Sequence, residues 1–204
     1  MKKGIMLRKC LIAVVGIFLV GVGVAFNAMA QLGNDPVGIF YDGIRSAMGF
    51  DREALGMASN VVNVVLAVFL FFAGRRYLNL GTLIYIMPYG LCVDCGTWLY
   101  GKIFVADALW CRGMACVTGC LLLYTGVAVF IAMDIGLDPM TGTAMVLRDR
   151  LHWDYKKAKW LFDSCMTLLG FMLGGTIGIV TIISAITAGP AIQYIAEKIT
   201  GIKK

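Results

Sequence analysis

The residues best placed to do chemistry are acidic, and they come in a matched pair. Gly33, Asp35 and Pro36 return as Gly136, Asp138 and Pro139, a constant offset (138 − 35 = 103). The same offset relates Gly23-Val24-Ala25 to Gly126-Val127-Ala128, Arg45 to Arg148 and Asp51 to Asp154. An Asp directly before Pro starts a helix, because the carboxylate accepts from free amides and Pro suits the first helical position. Gly33 and Gly136 let the chain break just before it. Asp35, its neighbour Asn34, and Asp138 can therefore cap short helices, bind a cation or couple to protons. A long apolar run precedes each Asp, which favours caps at a membrane edge.

Other polar groups sit within apolar runs. Asp94 lies in Leu91-Cys92-Val93-Asp94-Cys95. A carboxylate there is costly in lipid and should face the bundle interior or an interface. Asp163 corresponds to Asn60, with Asn63 on the same face, and these suit hydrogen bonds between helices or the wall of a cavity. Cys92, Cys95, Cys111, Cys116 and Cys120 fall toward one end of the bundle. Zinc or redox chemistry there is a weak reading, since His152 is the only histidine, and a disulfide is the better one. No metal site and no cofactor is assigned. No nucleophile, base and orienting group fall together, and no phosphate-cradling loop is present, so an enzyme is not expected.

The elements that must hold these groups follow from composition. The chain of 204 residues is 60% hydrophobic and 15% charged, with mean hydropathy +0.83, beyond the range of soluble domains. Apolar runs cover roughly 10–30, 58–73, 78–100, 114–133, 160–173 and 176–195. Several of these are long enough to cross a hydrocarbon layer, and the six are read as six spans. The expected fold is an all-α polytopic membrane protein, a single domain over 1–204. The net charge of +6 fits basic cytoplasmic loops and not nucleic-acid binding. With the N-terminus inside, Lys2, Lys3, Arg8, Lys9, Arg75, Arg76, Arg148, Arg150, Lys156, Lys157, Lys159, Lys198, Lys203 and Lys204 are inside. Only Arg45, Arg52, Lys102 and Arg112 are outside. That asymmetry puts both termini in the cytoplasm. Lys2-Lys3 through Ala28-Met29-Ala30 imitates a cleavable signal, but the same segment recurs from Met114, so retention is expected.

Repeat one covers 8–104 and repeat two 115–204. Three spans per repeat force the second to enter from the opposite face, an inverted repeat. The third spans align as Gly81-Thr82 with Gly175-Thr176. Each short Asp-Pro-initiated helix follows the first span of its repeat, and Val37, Phe40, Ile44 and Met48 form an apolar stripe on the first. Asp51 and Asp154 are expected to cap the next long helix. Trp98, Trp110, Trp153, Tyr41 and Tyr155 suit an interfacial aromatic belt. Gly170, Gly174 and Gly178 suit close packing within one bundle, with a homo-oligomer as the alternative.

An apolar span, then Leu32-Gly33-Asn34-Asp35-Pro36, then a short amphipathic helix resembles the bacterial YczE/YyaS/YitT group of integral membrane proteins, nearest its YczE branch. The second copy reads Ile135-Gly136-Leu137-Asp138-Pro139. The resemblance implies a bacterial plasma-membrane location and supplies no catalytic residues. The functional expectation is a small-solute carrier surrounded by lipid, its solute or ion unspecified. The alternative is a non-catalytic membrane subunit, either the substrate-binding component of a multisubunit importer or an accessory protein.

Overall fold

The structure, a computed structural model, describes residues 3–104 and 108–201. Eight α-helices occur among the described residues: α1 (Lys3–Ala30), α2 (Pro36–Ala47), α3 (Leu55–Ala73), α4 (Leu80–Ile103), α5 (Leu109–Met133), α6 (Pro139–Leu151), α7 (Tyr155–Met172) and α8 (Ile179–Thr200). Four stretches, in α1, α3, α5 and α8, are long and apolar enough to cross a membrane. α4 and α7 have the length but carry Asp94 and a set of tyrosines, or Lys159 and Asp163, which lower their hydropathy.

α1 is the central helix, packed along both α5 and α4. Small residues set the spacing. A Cβ added to Gly16 would come within 2.9 Å of the Gly126 carbonyl oxygen, and one on Gly23 within 2.6 Å of that of Gly119. Rising numbers on α1 meet falling numbers on α5, so the pair is antiparallel. On α4, Gly21 meets Cys92 and Ala25 meets Gly96, so that pair is parallel. α8 covers α5, α3 covers α4, and the short helices α2 and α6 each contact α3 and α7.

The sequence repeat reappears in the backbone. Gln31 and Asp134 are both left-handed (φ 55° and 49°), as are Gly49 and His152 (φ 69° and 54°). Each pair is separated by the same 103 positions. Gly33 and Gly136 are at φ +99° and +144°, and Asp35 and Asp138 adopt matching extended caps.

The two halves also clasp each other. At the start of α4, Gly81 N–H donates to Ile135 O (3.1 Å) and Thr82 Oγ1–H to Leu137 O (2.7 Å). At the start of α8, Val180 N–H donates to Leu32 O (3.0 Å). The partner of Thr82 is thus Thr181, which closes the turn at Gly178 as Thr82 does at Asn79. The expected alignment with Thr176 is corrected: Thr176 lies before α8 and is held by Asp42 (3.0 and 3.1 Å).

On α2 the apolar stripe of Val37, Phe40 and Ile44 is partly buried against the core, Met48 is exposed, and the fully buried side is Gly38, Ile39, Tyr41, Asp42 and Gly43. α2 is walled on two sides, by α3 and α7, so its small and polar residues meet protein. One further expectation is overturned: Asp51 and Asp154 stand at cap positions without a side-chain cap bond. Asp94 does that work for α3 from across the bundle, accepting from Gly56 N–H at 3.0 Å.

Candidate functional site

Both Asp-Pro segments begin within the helical packing. After Ala30 the chain turns through Gly33, whose φ of +99° favours glycine. It then doubles back, so that the Asn34 carboxamide donates to Val24 O at 3.1 Å. Val24 lies six residues before the last residue of α1, about 9 Å back along the helix. Asn34 Oδ1 accepts from Asp35 N–H (2.9 Å), which fixes the entry to α2. Asp35 Oδ2 caps Val37 N–H (3.3 Å), and Asp138 Oδ1 caps Thr141 N–H (2.9 Å). Both carboxylates are helix caps, as their place before Pro predicts. The caps differ in one respect: Asp35 Oδ1 is buried and has no hydrogen-bond partner.

A buried tyrosine cluster lies within electrostatic reach of both caps. Tyr41 from α2 and Tyr89 from α4 are 0% and 1% exposed. Their rings lie 5.8 Å apart, and Tyr85 stacks on Tyr89 at 4.9 Å. Tyr41 O–H donates to Asn63 Oδ1 on α3 (3.1 Å). The carboxylates of Asp35 and Asp138 both act electrostatically on the Tyr41 and Tyr85 hydroxyls. Asn63 is fully buried, and its Nδ2 is the second buried polar atom without a partner among the described residues. The bundle thus holds a buried acceptor, Asp35 Oδ1, and a buried donor, Asn63 Nδ2, that are both unpaired. Such atoms are rare in folded proteins and cost free energy unless something meets them.

The remaining candidates separate by place. Asp163 pairs with Lys159 one turn away on α7, and both act electrostatically on Asp35. They are the charged groups flanking the first cap. Asn60 and Asp94 lie elsewhere. They line a cleft of about 460 Å³ between α3 and α4, with Met57, Val61, Val64, Val65 and Leu91. Asn60 Oδ1 accepts from Gly90 N–H (3.0 Å), so this cleft is polar glue between two helices. The seven cysteines are free thiols. No group of three or more metal-ligating side chains forms among the described residues. The expected disulfide is therefore not formed; Cys92 packs against Gly21 and Cys120 Sγ contacts the Asn27 carboxamide at 3.7 Å.

Tyr41, expected at an interface, is in the core, whereas Trp98, Trp110, Trp153 and Tyr155 are exposed. Tyr85 and Tyr89 escaped sequence reasoning altogether. Their spacing of one helical turn within an apolar span, next to Pro88 and Gly90, is the pattern that could have found them.

Each end of the bundle has an ionic latch. Asp42 pairs with Arg45 (2.9 Å), which also reaches Phe50 O (2.6 Å), and Asp42 holds Thr176. Near the far end, Asp149 on α6 accepts from Tyr77, Arg148 and Arg76. Those partners, Tyr77 foremost, hold its carboxyl well below the usual carboxylate range.

Fold and site together define an all-helical protein of the membrane type, with two short capped helices that each pack on α3 and α7. Residues 7–197 match the family described as "Family of unknown function (DUF6198)", and the chain belongs to that family. It is 28% identical over 178 residues to an uncharacterized protein of Haemophilus influenzae (strain ATCC 51907 / DSM 11121 / KW20 / Rd), covering 86% of this chain and 78% of the relative. No solved structure matches.

Proposed function

We propose that the chain is a small-solute carrier of the bacterial plasma membrane, built as two inverted three-span halves. The solute is bound where α2 and α6 begin, and access alternates as one half rocks against the other. The observation that carries this reading is the pair of buried atoms without partners, Asp35 Oδ1 and Asn63 Nδ2, Asn63 being bonded to Tyr41 of a tyrosine cluster that both capping carboxylates reach electrostatically. A solute offering one donor and one acceptor satisfies both atoms. Helices that break at mid-bundle and present their ends to a substrate are the usual device of carriers with inverted repeats. The repeated left-handed sites and the reciprocal clasps support the pseudo-symmetry. The latches at Asp42 and Asp149 support two gates, one at each end. The basic asymmetry of the loops supports cytoplasmic termini. The Leu-Gly-x-x-Pro segment supports kinship with the YczE/YyaS/YitT group. No bond-making or bond-breaking chemistry is assigned to the chain.

The test is a thermal-shift screen of the purified protein against small metabolites and ions, followed by uptake of any hit into liposomes. Asp35→Asn keeps an oxygen for Val37 N–H and removes the charge, so it is expected to fold and to lose the shift. Asp35→Ala also loses the cap, at a further cost of about 1 kcal/mol. If Asp35→Asn and Asp138→Asn leave both binding and uptake intact, the two residues are caps and nothing more. Binding without uptake by the protein alone assigns it to a non-catalytic membrane subunit instead.

A further inference from the structure

A second site lies away from the tyrosine cluster, at the end of the bundle where α3 and α6 finish. A pocket of about 320 Å³ is lined there by Ala73, Gly74, Arg75, Arg76, Tyr77, Val146, Asp149 and Arg150. Three guanidinium groups face one carboxylate. That carboxylate is already taken, because Asp149 is held by Arg76, Arg148 and Tyr77. Arg75 lies over the Phe71 ring at 4.9 Å, and neither Arg75 nor Arg150 forms an ion pair among the described residues. Gly74 lies hard against Val146, since a Cβ there would come within 2.2 Å of Val146 Cγ2. The pocket therefore presents two planar guanidinium forks outside any ion pair beside an apolar contact. A guanidinium fork matches two oxygens of a phosphate group.

The occupant is further specified by α3. Val61, Val65, Val68 and Phe72, spaced as one face of a helix, are 40%, 60%, 54% and 81% exposed. A polar pocket at the end of an exposed apolar stripe has the order of parts of a phospholipid. A soluble phosphate compound would have no use for the stripe. We propose that this pocket binds the headgroup of an anionic phospholipid, with Arg75 and Arg150 on the phosphodiester and the acyl chains along α3. Basic pockets between helices at the cytoplasmic side take such headgroups as a general rule. The site does not depend on the chain being a carrier.

The purified protein is delipidated, exposed to mixed micelles holding equal amounts of phosphatidylglycerol and phosphatidylcholine, and read by native mass spectrometry. Wild type is expected to retain phosphatidylglycerol preferentially. Arg75→Gln and Arg150→Gln should each lower that preference about fivefold, while the exposed Arg52→Gln, on another segment, leaves it unchanged. Should Arg75→Gln fail to fold, Arg150→Gln alone, in the exposed last turn of α6, carries the comparison. Equal retention of the two lipids overturns the proposal. So does complete displacement of phosphatidylglycerol by an equal concentration of inorganic phosphate, which would mark a soluble anion as the occupant. So does a loss of preference with Arg52→Gln matching that of the pocket variants.

Discussion

Removing the Tyr41 hydroxyl is the sharpest probe of the central cluster. Tyr41→Phe keeps the ring, which is 0% exposed and packs against Tyr89 at 5.8 Å, so no cavity larger than one oxygen opens. What it removes is the bond to Asn63 Oδ1 at 3.1 Å. Asn63 Nδ2 already lacks a partner, so the variant leaves a fully buried carboxamide with neither end bonded. Leaving a buried polar group unmet costs about 1–3 kcal/mol. Asn63→Leu removes both the lost acceptor and the orphan donor, so it should cost less, and the Tyr41 hydroxyl keeps Tyr89 as a neighbour. The double variant replaces the pair by apolar groups and should be more stable than the sum of the single effects implies. Hydrogen bonds between membrane helices give coupling energies of about 0.6 kcal/mol on average and about 1.7 at most, and this pair should fall in the upper half of that range. The assay is reversible unfolding of the four proteins of the cycle in mixed micelles. A coupling below about 0.3 kcal/mol, within the scatter of independent sites, would refute the claim that Asn63 depends on Tyr41.

Other outcomes follow from the geometry. Gly136→Ala places a Cβ 1.6 Å from Asn79 Oδ1 at φ +144°, whereas Gly49→Ala at φ +69° meets nothing within 4 Å. Asn79 Oδ1 accepts from Thr82 N–H (3.3 Å), capping α4, and from Leu137 N–H across the clasp (3.3 Å), so thermal unfolding should show the first variant costing at least about 1 kcal/mol more, the worth of a displaced cap; equal losses would refute the clasp. The depressed carboxyl of Asp149 sets the sign of the pH response. Its favourable contribution is complete above the unfolded value of about 3.9 and fades only as the pH drops through the lower folded value. Hydrogen-exchange protection at residues 74–78, each rate taken relative to an unstructured amide at the same pH, should hold from pH 7 to about pH 4 and fall below it, with Asp149→Asn poorly protected throughout. Loss of protection between pH 7 and 5 would contradict the latch, and because the pair is exposed, global stability should hardly move. Alkylation of the denatured chain without reductant should modify all seven cysteines, which are free in the structure; a mass short by two alkyl groups would reveal a disulfide.

Much of this architecture was legible because its repeated features demand particular residues. A left-handed turn followed by a capped helix needs Gly33 and Asp35, and the same demand at Gly136 and Asp138 makes the duplication visible. The last helices of the two halves, α4 and α8, were harder to align, because their starts are fixed by a Thr that closes a turn. Thr176 and Thr181 look alike until the bond of Val180 to Leu32 is seen. Asp94 could be recognised as costly in an apolar helix, but its partner is a backbone amide on α3, and backbone amides leave no trace in composition. Tyr41 was misplaced for a related reason. Tyrosine suits both a membrane edge and a buried hydrogen-bonded pair, and only the packing of α2 between α3 and α7 decides between them.

The reciprocal clasps also bear on biogenesis. Thr82 waits for a carbonyl 55 residues downstream, which a ribosome supplies only after α5 has been made. Leu32 must wait longer still, for Val180 near the end of the chain. Neither half can close its loop from its own residues alone. Membrane insertion can thus deliver helices one at a time, but the assembled centre closes only after translation of α8 has begun. Late truncations that spare every residue of the tyrosine cluster should still leave it unsealed.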